Sequence, residues 1–323
     1  MNVIAGIDIG GTKYALSFAD YCKDIQILEH IAFPMPDSDP DSVLSLFIAH
    51  IKESINRHEG WNLLAVGVAC GGPLDSGRGI ILSPPNLRKW RNVECVRILR
   101  DSLKVPVVLQ NDADACALAE WKWGAGRGCS SMIFLTFGTG MGAGLILNNS
   151  LYSGSSGLAG EVGHLRLTED GPEGYGKAGS FEGFCSGGGI ANLGRIEAEK
   201  ALAKGKPPLF CKKAEDLPSI TAKSIAEAMD KGDALALQIY NKVGSCLGRG
   251  LAILIDILNP ERIILGSIYI RQRKVLEAPM REQIAKEALA SAASSCVILP
   301  ADLGERLGDF ASLSVGFSAL DQI

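Results

Sequence analysis

Apolar and polar positions along this chain follow two different periods. Short apolar runs at 3–8, 14–19, 26–33, 63–69, 105–109, 131–137, 143–148, 262–266 and 296–300 predict strands. Residues 41–57 instead place Val43, Leu44, Phe47, Ile48, Ile51 and Ile55 at the three- and four-residue spacing of a helix face. Helical patterns also cover 113–123, 187–203, 221–230, 233–258, 275–293 and 306–320. Strands alternating with helices predict an α/β protein. Residues 168–189 are polar and glycine-rich and read as a long loop, a kind of segment that is often functional.

One arrangement occurs twice. The run 3–8 leads through Gly10-Gly11-Thr12-Lys13 into the strand 14–19. The run 131–137 leads through Gly138-Thr139-Gly140-Met141-Gly142 into the strand 143–148. Two apolar strands joined by a short glycine link predict a hairpin. Its recurrence predicts two lobes, each opening with such a hairpin.

Composition narrows the function classes. Hydrophobic residues make up 47% of 323 and charged residues 21%, enough apolar surface to exclude disorder as the main state. The net charge is -4 with no basic block, which argues against a nucleic-acid partner. No run approaches the roughly 18 apolar residues of a membrane span, and the first residues lack the basic and apolar regions of a secretory signal. Nine scattered cysteines with no Cys-x-x-Cys pair read as reduced thiols, so the expected location is the cytoplasm.

The glycines carry the first chemical clue. There are 38, against 14 prolines, and they cluster inside structured sequence, where backbone must turn tightly or approach a ligand. The Walker pattern is absent. Gly138, Gly140 and Ala143 fit a dinucleotide fingerprint, but they lead into a strand and not a helix. In a hairpin turn, glycine lets backbone amides face an anion. Thr12 and Thr139 add hydroxyls, Lys13 adds charge, and Asp8 stands where it could orient magnesium-bound water. Plain tight turns remain the alternative.

Asn111-Asp112 stands between the strand at 105–109 and the helix at 113–123. A carboxylate at a strand's C-terminal end suits a base that takes a hydroxyl proton. A helix N-cap is the competing reading. Glu161, His164 and Glu182, with Asn86 and Asn111, suit a polyhydroxylated ligand, because each can bridge hydroxyls. Glu161 and His164 could equally form a satisfied structural pair.

Asp8-Ile9-Gly10-Gly11-Thr12-Lys13, Gly71-Gly72-Pro73, Pro85-Asn86-Leu87, Asn111-Asp112-Ala113, Gly138 to Gly144 and Gly160-Glu161-Val162-Gly163-His164 occur in that order across nearly the whole chain. In this the chain resembles the ROK family of bacterial sugar kinases and repressors. The resemblance implies a two-lobed actin-like ATPase (ribonuclease H-like) fold with a cleft between lobes. One lobe would comprise residues 1–113, completed by the helix 306–320, and the larger lobe residues 114–305. It implies ATP-dependent phosphorylation of a hexose or N-acetylhexosamine hydroxyl, with ATP and Mg²⁺, in a homodimer.

By resemblance, Asp112 is the catalytic base. Gly71, Gly72, Asn86, Asn111, Glu161, His164 and Glu182 are sugar contacts. Asp8, Gly10, Gly11, Thr12, Lys13, Gly138, Thr139, Gly140 and Gly266 serve the nucleotide. Repressor members carry an additional N-terminal helix-turn-helix domain, whereas this sequence starts with the first strand, so the kinase branch is expected. A non-catalytic sugar-responsive protein and an actin- or Hsp70-like ATPase are the alternatives.

Three departures from the family pattern stand out. The family's three zinc-binding cysteines are replaced by Glu173, Tyr175 and Ser180. His164 and Cys185 would supply only two of the usual four ligands, so no structural zinc is expected, and Tyr175 and Phe181 are expected to pack the loop that presents Glu182. Ser267 and Ile268 follow Gly266 where the family has a glycine run, and side chains there are expected to crowd the nucleotide. Asp114 is commonly asparagine; it is expected to be a helix-dipole or solvent-facing residue, and to raise the pKa of Asp112 if the two lie close.

Overall fold

The computed structural model of the chain describes residues 1–10, 13–22, 25–34 and 39–320. Its first half runs β1 (Asn2–Ile9), β2 (Lys13–Asp20), β3 (Ile27–Pro34), α1 (Pro40–Arg57), β4 (Asn62–Cys70), β5 (Leu74–Asp75), β6 (Ile80–Ile81), α2 (Cys95–Leu103), β7 (Val107–Asn111) and α3 (Asp112–Trp123). The second half runs β8 (Met132–Leu135), β9 (Ala143–Leu147), β10 (Ser150–Leu151), β11 (Glu173–Gly174), β12 (Lys177–Ala178), α4 (Phe181–Phe184), α5 (Gly187–Ala203), α6 (Ala222–Asp230), α7 (Ala234–Leu258), β13 (Arg262–Leu265), α8 (Ile268–Glu287), α9 (Ala290–Ser295), β14 (Val297–Pro300) and α10 (Leu307–Ser318). The described parts of Met1–Ser130, Gly144–Ala159 and Asp302–Ile323 form one compact unit, and Ser131–Ala143 with Gly160–Ala301 a second. Among the described residues no helix is long and apolar enough to cross a membrane.

The first unit is built on a sheet of order β3-β2-β1-β4-β7. β1 is antiparallel to β2 and parallel to β4, and β4 is parallel to β7. Alternation of side chains along β1 sorts its residues between two faces. Ala5, Ile7 and Ile9 join Val43, Phe47 and Ile51 of α1 and Leu99 of α2 in one core. Ile4 packs with Leu313 and Phe317 of α10 on the opposite face. There α10 lies almost on the backbone. A Cβ added at Gly67 would stand 2.1 Å from the Ser312 carbonyl oxygen and 2.2 Å from the Gly316 nitrogen. Only a residue without a side chain permits that approach. Asp8 lies two residues beyond Gly6 and so shares this face, with its Oδ2 2.9 Å from where a Cβ on Gly308 would be.

In the same unit, β9 and β10 form an antiparallel hairpin across Asn148 and Asn149, at φ +52° and +61°. Two left-handed residues in a two-residue loop match the twist of the flanking strands, and asparagine tolerates them.

In the second unit, β13 lies parallel between β8 and β14. The long helix α7 is capped at its start by Asp233, whose carboxylate accepts the Ala236 amide at 2.8 Å. It ends at Asn259, at φ +41° and followed by Pro260, a strong stop signal.

The differences from the sequence reading have local causes. The strand expected at 105–109 lies at Val107–Asn111, because Pro106 has no N–H to donate and only its carbonyl is used, by Val66 at 2.9 Å. The strand expected through 137 stops at Leu135, where the chain bends and Phe137 takes φ +32°. The helix expected at 275–293 is two: α8 begins at Ile268, directly after Ser267 at φ +49°, and ends at Glu287, and α9 restarts at Ala290. The glycine-rich loop at 168–189 contains the β11–β12 hairpin, the helix α4 and the start of α5.

Candidate active site

In the first unit, the register places Ile9 beside Cys70 and Cys70 beside Asn111. The residues that follow them, Gly10, Gly71 and Asp112, therefore emerge from the C-terminal ends of three adjacent parallel strands, where ligands bind in open α/β sheets. A Cβ on Gly71 would lie 3.9 Å from Asp112 Oδ2, and one on Gly72 3.3 Å from Asn111 Nδ2. Gly71, Gly72, Asn111 and Asp112 are thus brought together. The Gly10 amide closes the first turn on the Lys13 carbonyl at 3.2 Å. Gly11 and Thr12 lie outside the described residues. Asn86 is exposed in the segment between β6 and α2.

The cap reading and the site reading of Asn111-Asp112 both hold in geometry. Asn111 is the N-cap of α3, and its Oδ1 accepts the Ala113 amide at 2.9 Å. Asp112 Oδ1 accepts the same amide at 2.8 Å. Asp112 is exposed at its surface, yet the protein packed around it strips away enough hydration to raise its pKa, against the pull of the Ala113 amide. Asp8 is pushed up to about 7, first by burial, then by the negative charge of Asp112; Lys13 opposes this and Asp309 adds to it. Of the two expectations for Asp114, the helix-dipole position fits, since it stands in the first turn of α3, and the solvent position does not: it is 4% exposed, and Ser153 Oγ donates to its Oδ2 at 3.3 Å. Desolvation, not Asp114, raises Asp112.

In the second unit, the turn after β8 is held from three sides. The Gly142 amide donates to Thr136 Oγ1 at 3.0 Å, and the Gly138 amide to the Gly140 carbonyl at 3.0 Å. The Gly187 amide, at the start of α5, donates to the Gly138 carbonyl at 2.8 Å. The Met141 amide donates to Glu182 Oε2 at 3.0 Å. Among the described residues the amides of Thr139 and Gly140 have no protein acceptor. Thr139 is exposed, so this pair is open to an anion.

Gly266 lies against the turn, where a Cβ would be 3.2 Å from the Thr136 carbonyl oxygen. Ser267 follows, with its Oγ 3.7 Å from where a Gly138 Cβ would stand and 3.2 Å from Arg271 Nη2. Ile268, expected to crowd a nucleotide, is 6% exposed and turned into the interior.

Glu161 and His164 flank a short 3₁₀ turn, and both side chains are exposed. The His164 amide donates to the Glu161 carbonyl at 3.2 Å, and among the described residues no hydrogen bond or ion pair joins the two side chains. Gly163 between them packs on Glu182, whose Cβ would be 3.2 Å from a Gly163 Cβ. Glu182 lies in α4, whose N-cap is Ser180, accepting the Gly183 amide at 3.0 Å. Phe181 is fully buried as expected, but Tyr175 is 71% exposed and touches only the edge of the His164 ring, centroids 5.4 Å apart. Cations and backbone order the rest of the loop. Lys177 Nζ donates to the His164 carbonyl at 2.6 Å, and Arg166 Nη1 to the Ala178 carbonyl at 2.9 Å.

These residues do not fit a zinc ion. Cys185 is buried, with its thiol 3.6 Å from the Val243 carbonyl, while His164 is exposed. Among the described residues no group of three or more His, Cys, Asp or Glu could hold a metal. The position of the third family cysteine is occupied by the capping hydroxyl of Ser180.

Sequence reasoning missed Asp309. It lies in the first turn of α10, accepts Ser17 Oγ at 2.8 Å and stands 2.9 Å from His30 Nδ1. Its nearness to Asp8 arises from the packing of α10 on β1, which no local pattern signals. The Glu182–Met141 bond was missed for the same reason.

The fold is that of the two-lobed actin/hexokinase-like proteins, each lobe centred on a sheet. The chain belongs to the ROK family, whose sequence model matches residues 4–314. It is 30% identical over 314 residues to a glucokinase of Thermotoga maritima, covering 97% of this chain and 96% of that one. It is also 30% identical over 273 residues to a xylose repressor of Caldicellulosiruptor bescii, covering 82% of this chain and 65% of that protein. Among solved structures, a ROK family glucokinase from Streptomyces griseus in complex with glucose and AMPPNP superposes with a TM-score of 0.75 at 28% identity, covering 98% and 99% of the two chains.

Proposed function

We propose that this chain is an ATP-dependent sugar kinase that phosphorylates a hydroxyl of a hexose or N-acetylhexosamine. The observation that carries the reading is Asp112: a carboxylate open at its surface, poorly hydrated, and standing at the end of a parallel strand beside two glycines. Such a group binds a proton more tightly than a free aspartate does. It can therefore draw the proton from a hydroxyl as that oxygen attacks the terminal phosphoryl group. Asn111, Gly71, Gly72, Asn86, Glu161, His164 and Glu182 hold the sugar. Gly10, Lys13, Gly138, Thr139, Gly140 and Gly266 serve the nucleotide, with Gly11 and Thr12 assigned by resemblance. The likeness to the T. maritima and S. griseus glucokinases supports the assignment.

Magnesium enters as part of the nucleotide substrate and supplies charge neutralisation at the phosphates. Asp8 suits it chemically, because a carboxylate pushed up to about 7 by burial and by Asp112 gains from a nearby cation. The protein acts in the cytoplasm as a homodimer on this reading, as the family resemblance implies; light scattering on the purified chain tests the dimer.

The likeness to a xylose repressor favours a second reading, a sugar-responsive regulator without catalysis. One experiment separates the two. A panel of hexoses and N-acetylhexosamines is assayed with Mg-ATP by coupled ADP release, alongside calorimetric binding of AMPPNP and of each sugar. Sugar-dependent ADP release establishes the kinase. Sugar binding without turnover on any member of the panel establishes the regulator.

A further inference from the structure

Three chain segments close around one side chain in the second unit. The Glu182 carboxylate takes the Met141 amide at 3.0 Å. A Cβ on Gly140 would stand 3.0 Å from Glu182 Oε2, and one on Gly163 would stand 3.2 Å from Glu182 Cβ. A Cβ on Gly174 would likewise be 3.0 Å from Glu182 Cβ. A side chain at any of these three positions would crowd Glu182, and at Gly163 and Gly174 it would first meet backbone, the Met141 carbonyl oxygen and the Gly183 nitrogen, each at 2.4 Å. The carboxylate itself is fixed by α4, whose first turn is capped by the buried Ser180. A residue read as a sugar ligand is thus hydrogen-bonded to the turn read as a phosphate site.

The direction of that bond matters. Within the turn, Gly138, Met141 and Gly142 donate to protein acceptors, while Thr139 and Gly140 do not. A hydrogen bond to an ionised acceptor is roughly twice as strong as a neutral one. Glu182 therefore draws the Met141 amide inward and sets the peptide planes on either side of it. Among the described residues the two preceding amides are left without a protein acceptor.

We infer that Glu182 is a positioning residue for the Gly138–Gly142 turn, holding it in the form that binds the triphosphate and so coupling the sugar and nucleotide sites of this unit. The inference rests on the kinase reading for the identity of the two ligands. The turn geometry itself does not depend on that reading.

Two conservative variants test it. Glu182→Gln keeps the reach of the side chain and an oxygen for the Met141 amide, but removes the charge. Glu182→Asp keeps the charge and withdraws the carboxylate by one methylene. Binding of Mg-AMPPNP is measured by calorimetry on the full chain with no sugar present, and exchange of the Met141 amide by NMR. Glu182→Asp is expected to weaken AMPPNP about tenfold, the scale of one hydrogen bond to a charged group, and to expose the Met141 amide to exchange. Glu182→Gln, which keeps a weaker neutral acceptor in place, is expected to weaken AMPPNP less than Glu182→Asp does and to leave that amide partly protected. Glu169→Gln, at an exposed acid of the same loop that neither site uses, is expected to leave AMPPNP binding unchanged.

A role confined to the sugar would move none of these sugar-free readouts. Wild-type AMPPNP affinity and wild-type Met141 protection in Glu182→Asp would overturn the inference. If the wild-type chain binds no AMPPNP, the kinase reading fails, and Met141 exchange alone decides whether Glu182 positions the turn.

Discussion

Glu120 Oε1 accepts the amide hydrogen of Asp302 at 3.0 Å and that of Leu303 at 3.1 Å, and the other oxygen of the same carboxylate takes the Ala125 amide at 2.8 Å. The side chain is fully buried. It joins the end of α3 to the segment that leads into α10, and it is the acceptor for three partly buried backbone donors.

Replacing Glu120 by alanine orphans those donors, each worth about 1–3 kcal/mol when left unsatisfied. Glu120→Ala is therefore expected to destabilise by about 1–3 kcal/mol, and Glu120→Gln, which keeps one oxygen, by less. Urea unfolding of both variants checks the order.

Asp112→Asn preserves the shape of the side chain and an acceptor for the Ala113 amide but removes the base. The expected loss in turnover is about 10²–10⁴-fold, with sugar affinity changed by a few-fold at most. Steady-state kinetics and calorimetry on one preparation provide both numbers. Near-normal turnover would mean that another group takes the proton.

Asp8 predicts a pH dependence of stability with a definite sign. Its pKa rises on folding from 3.8 to about 7, so the folded chain binds a proton more tightly than the unfolded chain. That contribution is complete below pH 3.8 and is lost as pH climbs through about 7. Asp8→Asn mimics the protonated form at every pH. Without ligand, the variant is expected to melt above wild type at pH 8, with the gap closing towards pH 5, as thermal scans across that range would record.

Gly67→Ala places a methyl 2.1 Å from the Ser312 carbonyl oxygen. Backbone of α10 and β4 must separate to admit it, so the cost should reach or exceed the roughly 1–3 kcal/mol of ordinary overpacking. Denaturant midpoints of the variant and wild type measure this directly. The same change at Gly128, where nothing lies within 4 Å but φ is +83°, should carry only the smaller cost of left-handed backbone.

Ser180 caps α4 from a fully buried position. Ser180→Ala is expected to cost about 1–2 kcal/mol and to weaken sugar binding through Glu182. A chelator is expected to leave the melting temperature of the wild-type chain unchanged, since the loop is held by Ser180, Arg166 and Lys177.

Features that depend on neighbours in sequence were the legible ones. The glycine turns at 10 and 138–142, the existence of a strand before Asp112, though not its bounds, and the helix pattern of α1 all follow from local periodicity and backbone chemistry. Asn111-Asp112 was legible as a pair of competing readings because a cap and a site residue require the same short polar side chains. Asp309 was illegible: its segment reads as an ordinary helix, and its place near Asp8 depends on α10 crossing the sheet. The split between α8 and α9 was hidden too, because the stop at Ala288 leaves apolar spacing intact on either side. Asp114 was half legible: an acid in a first helical turn suits the helix dipole, but its burial was hidden, because only the tertiary fold brings Ser153 to it.

The packing of α10 on β1 and β4 has a consequence for how the molecule is made. The ribosome delivers the strands of the first sheet early, yet the helix that covers one side of them emerges only after the entire second unit. Until then, Ile4 and its neighbours on that face lack the cover of Leu313 and Phe317. The nascent amino-terminal half must wait, partly assembled, for residues translated after the second unit, which makes this stretch of synthesis the period when a chaperone has most to protect.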